Sequence, residues 1–287
     1  MYRRDFIKNF TYLSSSLCLN HLFNKSVFAN EALKVLTLNI AKVTKTWDDM
    51  SLKADVPISF HEKKGSATEL IEIFSKGNGT DLYDAVTDNG GNQEDILSKK
   101  NLIETLDISK IKNWQKIIPE YKKNGKYSST IRNERGDIVG VPYLSNTDSL
   151  AYNKSKIGED INTWEALFDS QFKGYASIQN SLGPTITITA IYLKQTNKQD
   201  IKNPSNMTKD EIKGVCEFLI NMKKRGQFKK IWDNYNDGVR LLANEEVLVS
   251  SCWEPIAISA KTKGVDIKYG VMKEGHLAWN NVWMFTK

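Results

Sequence analysis

The residues best suited to chemistry stand late in the chain, in Ala278-Trp279-Asn280-Asn281-Val282-Trp283, where indole rings are interrupted by side-chain amides. Such a pattern serves either a core, since Trp279 and Trp283 are four apart, or a ligand, to which an indole offers its face and an amide its hydrogen bonds. A second candidate is Asp88-Asn89-Gly90-Gly91. It reads as turn chemistry, because Asn and Gly tolerate positive φ, and equally as backbone N–H groups exposed at the start of a helix over 92–98, which suits a carboxylate, sulfonate or phosphate.

Catalysis finds no apparatus. The carboxylates of Asp48-Asp49 and Glu245-Glu246 are adjacent in sequence, so they diverge and cannot flank a scissile bond. The chain has no Gly-x-Ser-x-Gly elbow, His-Glu-x-x-His pair or Walker loop, and Gly77-Asn78-Gly79-Thr80 precedes a strand where a nucleotide loop precedes a helix. Beyond the first 29 residues only His61 and His276 remain, neither at metal-ligand spacing with another His or Cys, so no metal and no cofactor is expected. Cys216 and Cys252 are expected as two buried thiols, with a disulfide as the other reading.

The elements that must position these groups begin after residue 29. Residues 1–29 carry a basic start with Arg3-Arg4-Asp5-Phe6-Ile7-Lys8, an apolar middle from Phe10 to Phe23, and Val27-Phe28-Ala29 as a small-residue cleavage site. They are expected to be an export signal similar to the twin-arginine type. The Ser14-Ser15-Ser16-Leu17 run before Cys18 is a poor lipobox, which argues against a lipid anchor. Removing residues 1–29 takes Arg3, Arg4, Lys8, Lys25 and Asp5 from totals of 40 basic and 34 acidic residues, leaving 36 against 33. That near balance, with bases scattered among acids, excludes nucleic acid as a partner. The length of 287 residues, 40% hydrophobic and 26% charged, suits two globular domains.

Short β-branched runs at Lys34–Ile40, Val56–Glu62 and Leu82–Thr87 read as strands, joined by a connection from Thr44 to Leu52 and by a helix that opens on the capping box Ser66-Ala67-Thr68-Glu69 and stops at Gly77. Further on, Gly140–Tyr143 and Ser149–Asn153 read as two extended segments, Asn162-Thr163-Trp164-Glu165 as a capping box opening a helix, Tyr175–Ile178 as a strand and Thr185–Lys194 as a helix. Thr208-Lys209-Asp210-Glu211 caps a helix whose Ile212, Val215, Leu219 and Met222 share a face until Gly226, and Val247–Cys252 and Val265–Val271 read as strands. Strands alternating with helices predict an α/β fold with mostly parallel sheets flanked by helices.

Four stretches in order carry a resemblance: Gly140-Val-Pro-Tyr143, Leu150-Ala-Tyr-Asn153, Thr163-Trp-Glu-Ala-Leu-Phe168 and Phe172-Lys-Gly-Tyr-Ala-Ser-Ile178. Together with Asp81–Val86 and Lys273-Glu-Gly275 before Trp279 and Asn281, they resemble type-1 extracellular solute-binding proteins of ABC importers, of the spermidine/putrescine-binding subfamily. The resemblance runs from about Leu33 to Lys287. It implies a two-lobed clamshell, with lobe 1 at 30–143 and 274–287 and lobe 2 at 144–273, a ligand held between lobes, and an inner-membrane permease as partner to a periplasmic monomer. It also implies that relatives continue further, so that lobe 1 reads as truncated.

The resemblance implies the ligand residues as well. Trp279 would lie against methylenes or a cationic head, Asn281 would hydrogen-bond, and Trp253 would reach the cleft. Asn281 stands where the polyamine binders carry an aspartate. Asn39 falls where they place an aromatic pair, Asn89 in a loop that differs from theirs, and Asn180 and Ser181 near their lobe-2 carboxylate. Asp88 and Glu254 are then the acids left to meet an ammonium. Relatives that capture iron use tyrosine clusters, whereas Tyr143, Tyr152 and Tyr192 are dispersed here. The expected function is capture of a small polar amine, polyamine-like or zwitterionic. A small organic anion held by the Asp88 loop is the alternative ligand, and a secreted hydrolase the alternative function.

Overall fold

The computed structural model describes residues 32–38, 52, 57–63, 67–89 and 93–287. The export signal, Asn39, the connection before Leu52, Ser66 of the first capping box and the glycine turn at 90–92 lie outside the described residues.

Among the described residues nine strands form: β1 (Leu33–Leu38), β2 (Ile58–Lys63), β3 (Ala85–Asn89), β4 (Val141–Asn153), β5 (Ala176–Gln179), β6 (Phe228–Trp232), β7 (Val249–Trp253), β8 (Ile267–Tyr269) and β9 (Leu277–Phe285). Six helices of seven residues or more accompany them: α1 (Ala67–Ser75), α2 (Gln93–Lys99), α3 (Leu182–Gln195), α4 (Lys209–Lys224), α5 (Tyr235–Ala243) and α6 (Glu254–Lys261). The described residues divide into two compact units, one up to Ser145 together with Asn280–Lys287, the other Asn146–Trp279. The chain enters the second unit at Asn146 and leaves it after Trp279, where the sequence suggested boundaries at 143/144 and 273/274.

In the first unit β1 pairs parallel with β2 and β3, and β9 closes antiparallel on β3. Both faces of these strands are apolar. Val35, Ala85 and Phe285 bury on one side with Leu106, Ile111 and Val141, while Leu36, Val86, Val282 and Met284 bury on the other under α1 and α2 with Leu70, Phe74 and Leu97. The period-two alternation of large side chains to both faces places β1, β3 and β9 inside a layered α/β unit, with the half-buried β2 at its edge.

The second unit repeats the plan. β5 pairs parallel with β6 and β7, and β4 runs antiparallel to β7 and β8. Leu150, Ile178 and Val249 face α3 and α4, while Ala151, Trp232 and Cys252 face α5 and α6. Antiparallel additions by β4, β8 and β9 thus extend parallel cores in both units.

Several local expectations change. Gly79–Leu82 is one helical turn and the strand starts later, at Ala85, because Leu82 falls on the exposed side of that turn. The extended segments at 140–143 and 149–153 are one strand of 13 residues. Thr163, not Asn162, is the N-cap, and it opens only a 3-10 turn at Trp164–Leu167. There the fully buried Trp164 indole donates to the Gly275 carbonyl at 2.8 Å and Thr163 donates to Glu274, so tertiary anchoring replaces helix propagation.

The capping box at Thr208 forms with both reciprocal bonds, Glu211 N to Thr208 Oγ1 and Thr208 N to Glu211 Oε2. Replacing Thr208 with Ala should lower unfolding free energy by about 1 kcal/mol, read as a shift in urea midpoint. An unchanged midpoint would mean that packing of α4 alone sets its start.

Candidate functional site

In open α/β sheets the carboxyl ends of parallel strands present side chains that are not consumed by the ladder, and ligands collect there. Each unit has such an edge, with different chemistry.

In the first unit the edge is formed by Lys63 at the end of β2 and Asp88-Asn89 at the end of β3. Lys63 reaches over β1 to put its Nζ 2.8 Å from Asp88 Oδ2, and both side chains are almost fully buried, at 0% and 4% exposure. Asp88 also accepts from the Asn89 backbone N–H at 2.7 Å. Its charge is therefore met by Lys63 within the fold, so an ammonium would meet Asp88 already paired. The Lys was not foreseen because β2 was read only for its apolar pattern. On the opposite face Thr87 hydrogen-bonds Thr37, and Tyr143, pushed up to about 12 by burial, is held against Thr87 and feels the Asp88 charge.

Asn281 lies opposite Asn89 in the β3–β9 ladder, 3% exposed, and donates through Nδ2 to Asn89 Oδ1 at 3.1 Å. Its own Oδ1 is buried with no hydrogen-bond partner among the described residues. Its neighbour Asn280, on the other face, accepts from Tyr121 at 2.6 Å and Ser145 at 2.7 Å. Trp283 packs on Tyr143 and Phe285 in the core, as one of its two readings anticipated.

The second unit's edge is richer. β5 ends on Gln179 and is followed by Asn180, β6 ends on Trp232 and is followed by Asp233, and β7 ends on Trp253 and is followed by Glu254. Asn180 donates to Asp233 Oδ1 at 2.6 Å and its backbone N–H to the Trp232 carbonyl at 2.7 Å, so it is held exposed at the strand end. Ser181 occupies the N-cap of α3 without a side-chain capping bond. Asn180 and Ser181 also line a pocket of about 240 Å³ with Ile186, Cys216 and Phe228, an apolar space between β5 and the α3 and α4 helices. Trp253 stands edge-on to the buried Trp232 ring, 5.5 Å between centroids at 90°. Glu254 opens α6, where the helix dipole favours a carboxylate, and accepts from Asn146 Nδ2 at 3.1 Å.

β4 runs antiparallel beside β7, so Asp148 is the cross-strand partner of Trp253 and arrives at this same edge. It is 2% exposed, and the Trp279 indole N–H donates to its Oδ1 at 2.8 Å. Burial raises this carboxyl to about 7, against the lowering effect of the Trp279 bond. Sequence reasoning missed Asp148. The available signal was an acid inside the extended 140–153 run, where burial on both faces leaves no solvent for a charge. Beneath it, the Tyr269 hydroxyl donates to the carbonyls of Thr147 at 2.8 Å and Cys252 at 2.9 Å, and burial drives both the Tyr269 phenol and the Cys252 thiol up. Cys252 and Cys216 are free thiols, the first buried and the second partly exposed, where two buried thiols were expected.

The second unit thus gathers the indoles of Trp253 and Trp279, the carboxylates of Asp148 and Glu254 and the amides of Asn146 and Asn180 at its strand ends. That composition is suited to holding a ligand.

Comparison with known proteins fits this chemistry. A family model of bacterial extracellular solute-binding proteins matches residues 52–287. A protein from Listeria monocytogenes assigned to spermidine/putrescine ABC transport superposes with a TM-score of 0.72 at 16% identity, over 89% of this chain and 73% of that one. A lipoprotein of Treponema pallidum designated TpPotD gives 0.71 at 15% identity, over 90% and 75%. The binding protein MotA of A. tumefaciens B6, solved with glucopine, gives 0.67 at 13% identity, over 90% and 74%. At these identities the likeness establishes the fold, a mixed α/β periplasmic-binding-protein fold.

Proposed function

Since the chain belongs to the bacterial extracellular solute-binding proteins, which bind solutes and are not enzymes, we propose that it is the periplasmic capture subunit of an ABC importer whose ligand is a small polar amine, polyamine-like or zwitterionic. Residues 1–29 are its twin-arginine-like export signal, a permease at the inner membrane its partner, and a monomer its working state. The observation that carries the ligand reading is the second unit's strand edge, where Trp253 and Trp279 border a buried carboxylate. Indole faces hold methylenes and cationic heads, and a carboxylate completes the recognition of an ammonium. Glu254, Asn180, Ser181, Asn89 and Asn281 are further proposed ligand groups. The unpartnered Asn281 carbonyl favours a ligand with N–H donors.

The anion alternative relied on the Asp88 loop. The backbone N–H groups it needs, at 90–92, lie outside the described residues, and at the described edge the Lys63 charge is met by Asp88, so no free cation is added there for an anion.

A thermal-shift panel on protein lacking residues 1–29 tests the reading. Putrescine, spermidine and amino acids should each be compared with succinate and a sulfonate. An amine at a hundred times its Kd should stabilise by about 2.7 kcal/mol. Trp279→Ala and Trp253→Ala should each weaken that amine by roughly tenfold or more, the loss of a desolvated cation–π face. Stabilisation by succinate and by no amine would replace this reading with the anion one.

A further inference from the structure

Asp148 is an ionisable group where a purely structural role does not need one. The Trp279 indole N–H could be accepted equally well by an amide or a hydroxyl, neither of which carries a charge into the interior. The surroundings supply no countercharge. β7 presents the Cys252 thiol and the Trp253 ring, β8 presents the Tyr269 phenol, already committed to two carbonyls, and β9 presents Trp279. α6 adds another acid, Glu254, held by Asn146. Among the described residues no lysine, arginine or histidine forms an ion pair with Asp148. Asp148 and Trp279 both lie within three residues of the points where the chain leaves the second unit.

Resting on the amine reading above, we propose that Asp148 is the group that receives the ligand's cationic nitrogen, an ammonium or guanidinium, while Trp279, bonded to it, and Trp253, its cross-strand partner, hold the adjoining methylenes. The ligand then supplies the countercharge that the fold withholds. Asp148 thereby takes the part that the sequence had divided between Asp88 and Glu254, one paired with Lys63 and the other bonded to Asn146 at a helix start.

A consequence in pH follows. Ligand-free Asp148 titrates near pH 7, so a cation that binds its ionised form releases a proton on arrival. Capture strengthens as pH rises, by roughly tenfold from pH 6 to pH 8, the change in ionised fraction. An anionic ligand accepting a hydrogen bond from the protonated carboxyl would reverse that sign.

The experiment is calorimetric titration of putrescine and spermidine into protein lacking residues 1–29 at pH 6 and pH 8, for wild type, Asp148→Asn and Trp279→Phe. Wild type should show the rise with proton release. Asp148→Asn should lose on the order of 30-fold or more in affinity at pH 8 and lose the pH dependence, as expected when one partner of a desolvated charge pair is removed. Trp279→Phe keeps an aromatic face but deletes the donor that lowers the Asp148 carboxyl, so its rise in affinity should move to higher pH. Wild-type affinity and pH profile in Asp148→Asn overturn the assignment while the amine reading stands. So does an unshifted profile in Trp279→Phe. Failure of wild type to bind either amine at both pH values overturns both.

Discussion

Lys63→Met should destabilise the first unit by about 3–5 kcal/mol, because it leaves the Asp88 carboxylate buried without its ammonium. The two side chains are 0% and 4% exposed, so water cannot replace the lost partner. Asp88→Asn should cost a similar amount for the opposite reason, an orphaned lysine. The double variant Lys63→Met with Asp88→Asn should recover most of the loss, since removing both charges removes the desolvation penalty along with the attraction. Urea unfolding of the four proteins reads the coupling directly. Additive single losses, each under 1 kcal/mol, would show that the pair is solvated and that Asp88 remains available to a ligand. With the pair intact, Asp88 variants should change stability and leave amine affinity nearly unaltered except through unfolding.

The sequence showed what depends on local pattern and hid what depends on pairing across strands. The capping box at Thr208 was visible because both partners lie within four residues, and it forms as expected. β1, β2 and the late strands were visible in their apolar β-branched runs, though shifted by one to a few residues at their ends. The aromatic run at the end of the chain gave Trp279 and Asn281 but not β9 itself. No short-range signal shows that 277–285 pairs with β3, some 190 residues earlier. β6, α5 and α6 also went unread. Phe228–Trp232 carries two lysines in five residues, so its strand pattern is diluted, and α6 opens with Glu254-Pro255, which reads as a turn until Pro is placed at the first positions of a helix.

The site followed the same division. Trp253 and Glu254 were legible as the residues ending a strand. The pairing of Asp88 was not legible because its partner is 25 residues away on β2, and the two meet only when β1 lies between them. Asp148 was overlooked because its character comes wholly from burial and from an indole 131 residues distant. Titration behaviour of this kind is a property of the folded environment, and residue type alone does not announce it.

Asp148→Asn should make the ligand-free protein more stable at pH 8 and leave it nearly unchanged at pH 4. The sign follows from the raised carboxyl, about 7 in the fold against about 3.9 in an unfolded chain. Below pH 4 both states hold the proton and the group contributes nothing that varies with pH. Between pH 4 and 7 the unfolded chain releases its proton while the folded one keeps it, so rising pH favours unfolding. Above pH 7 both are ionised and the full penalty stays, on the order of 4 kcal/mol for three units. Asn keeps the acceptor for Trp279 and carries no charge, so it removes the penalty without opening a cavity. Urea midpoints of wild type and Asp148→Asn, measured at pH 4 and pH 8 without ligand, should therefore diverge only at the higher pH. A structural aspartate would behave oppositely, losing stability on substitution at both. A residue that weakens its own fold at working pH is retained because something other than folding uses its charge, so the stability gain and the loss of amine affinity should appear in the same variant. A gain of equal size at pH 4 would instead trace the effect to packing and remove the argument for a charge held in wait for a cation.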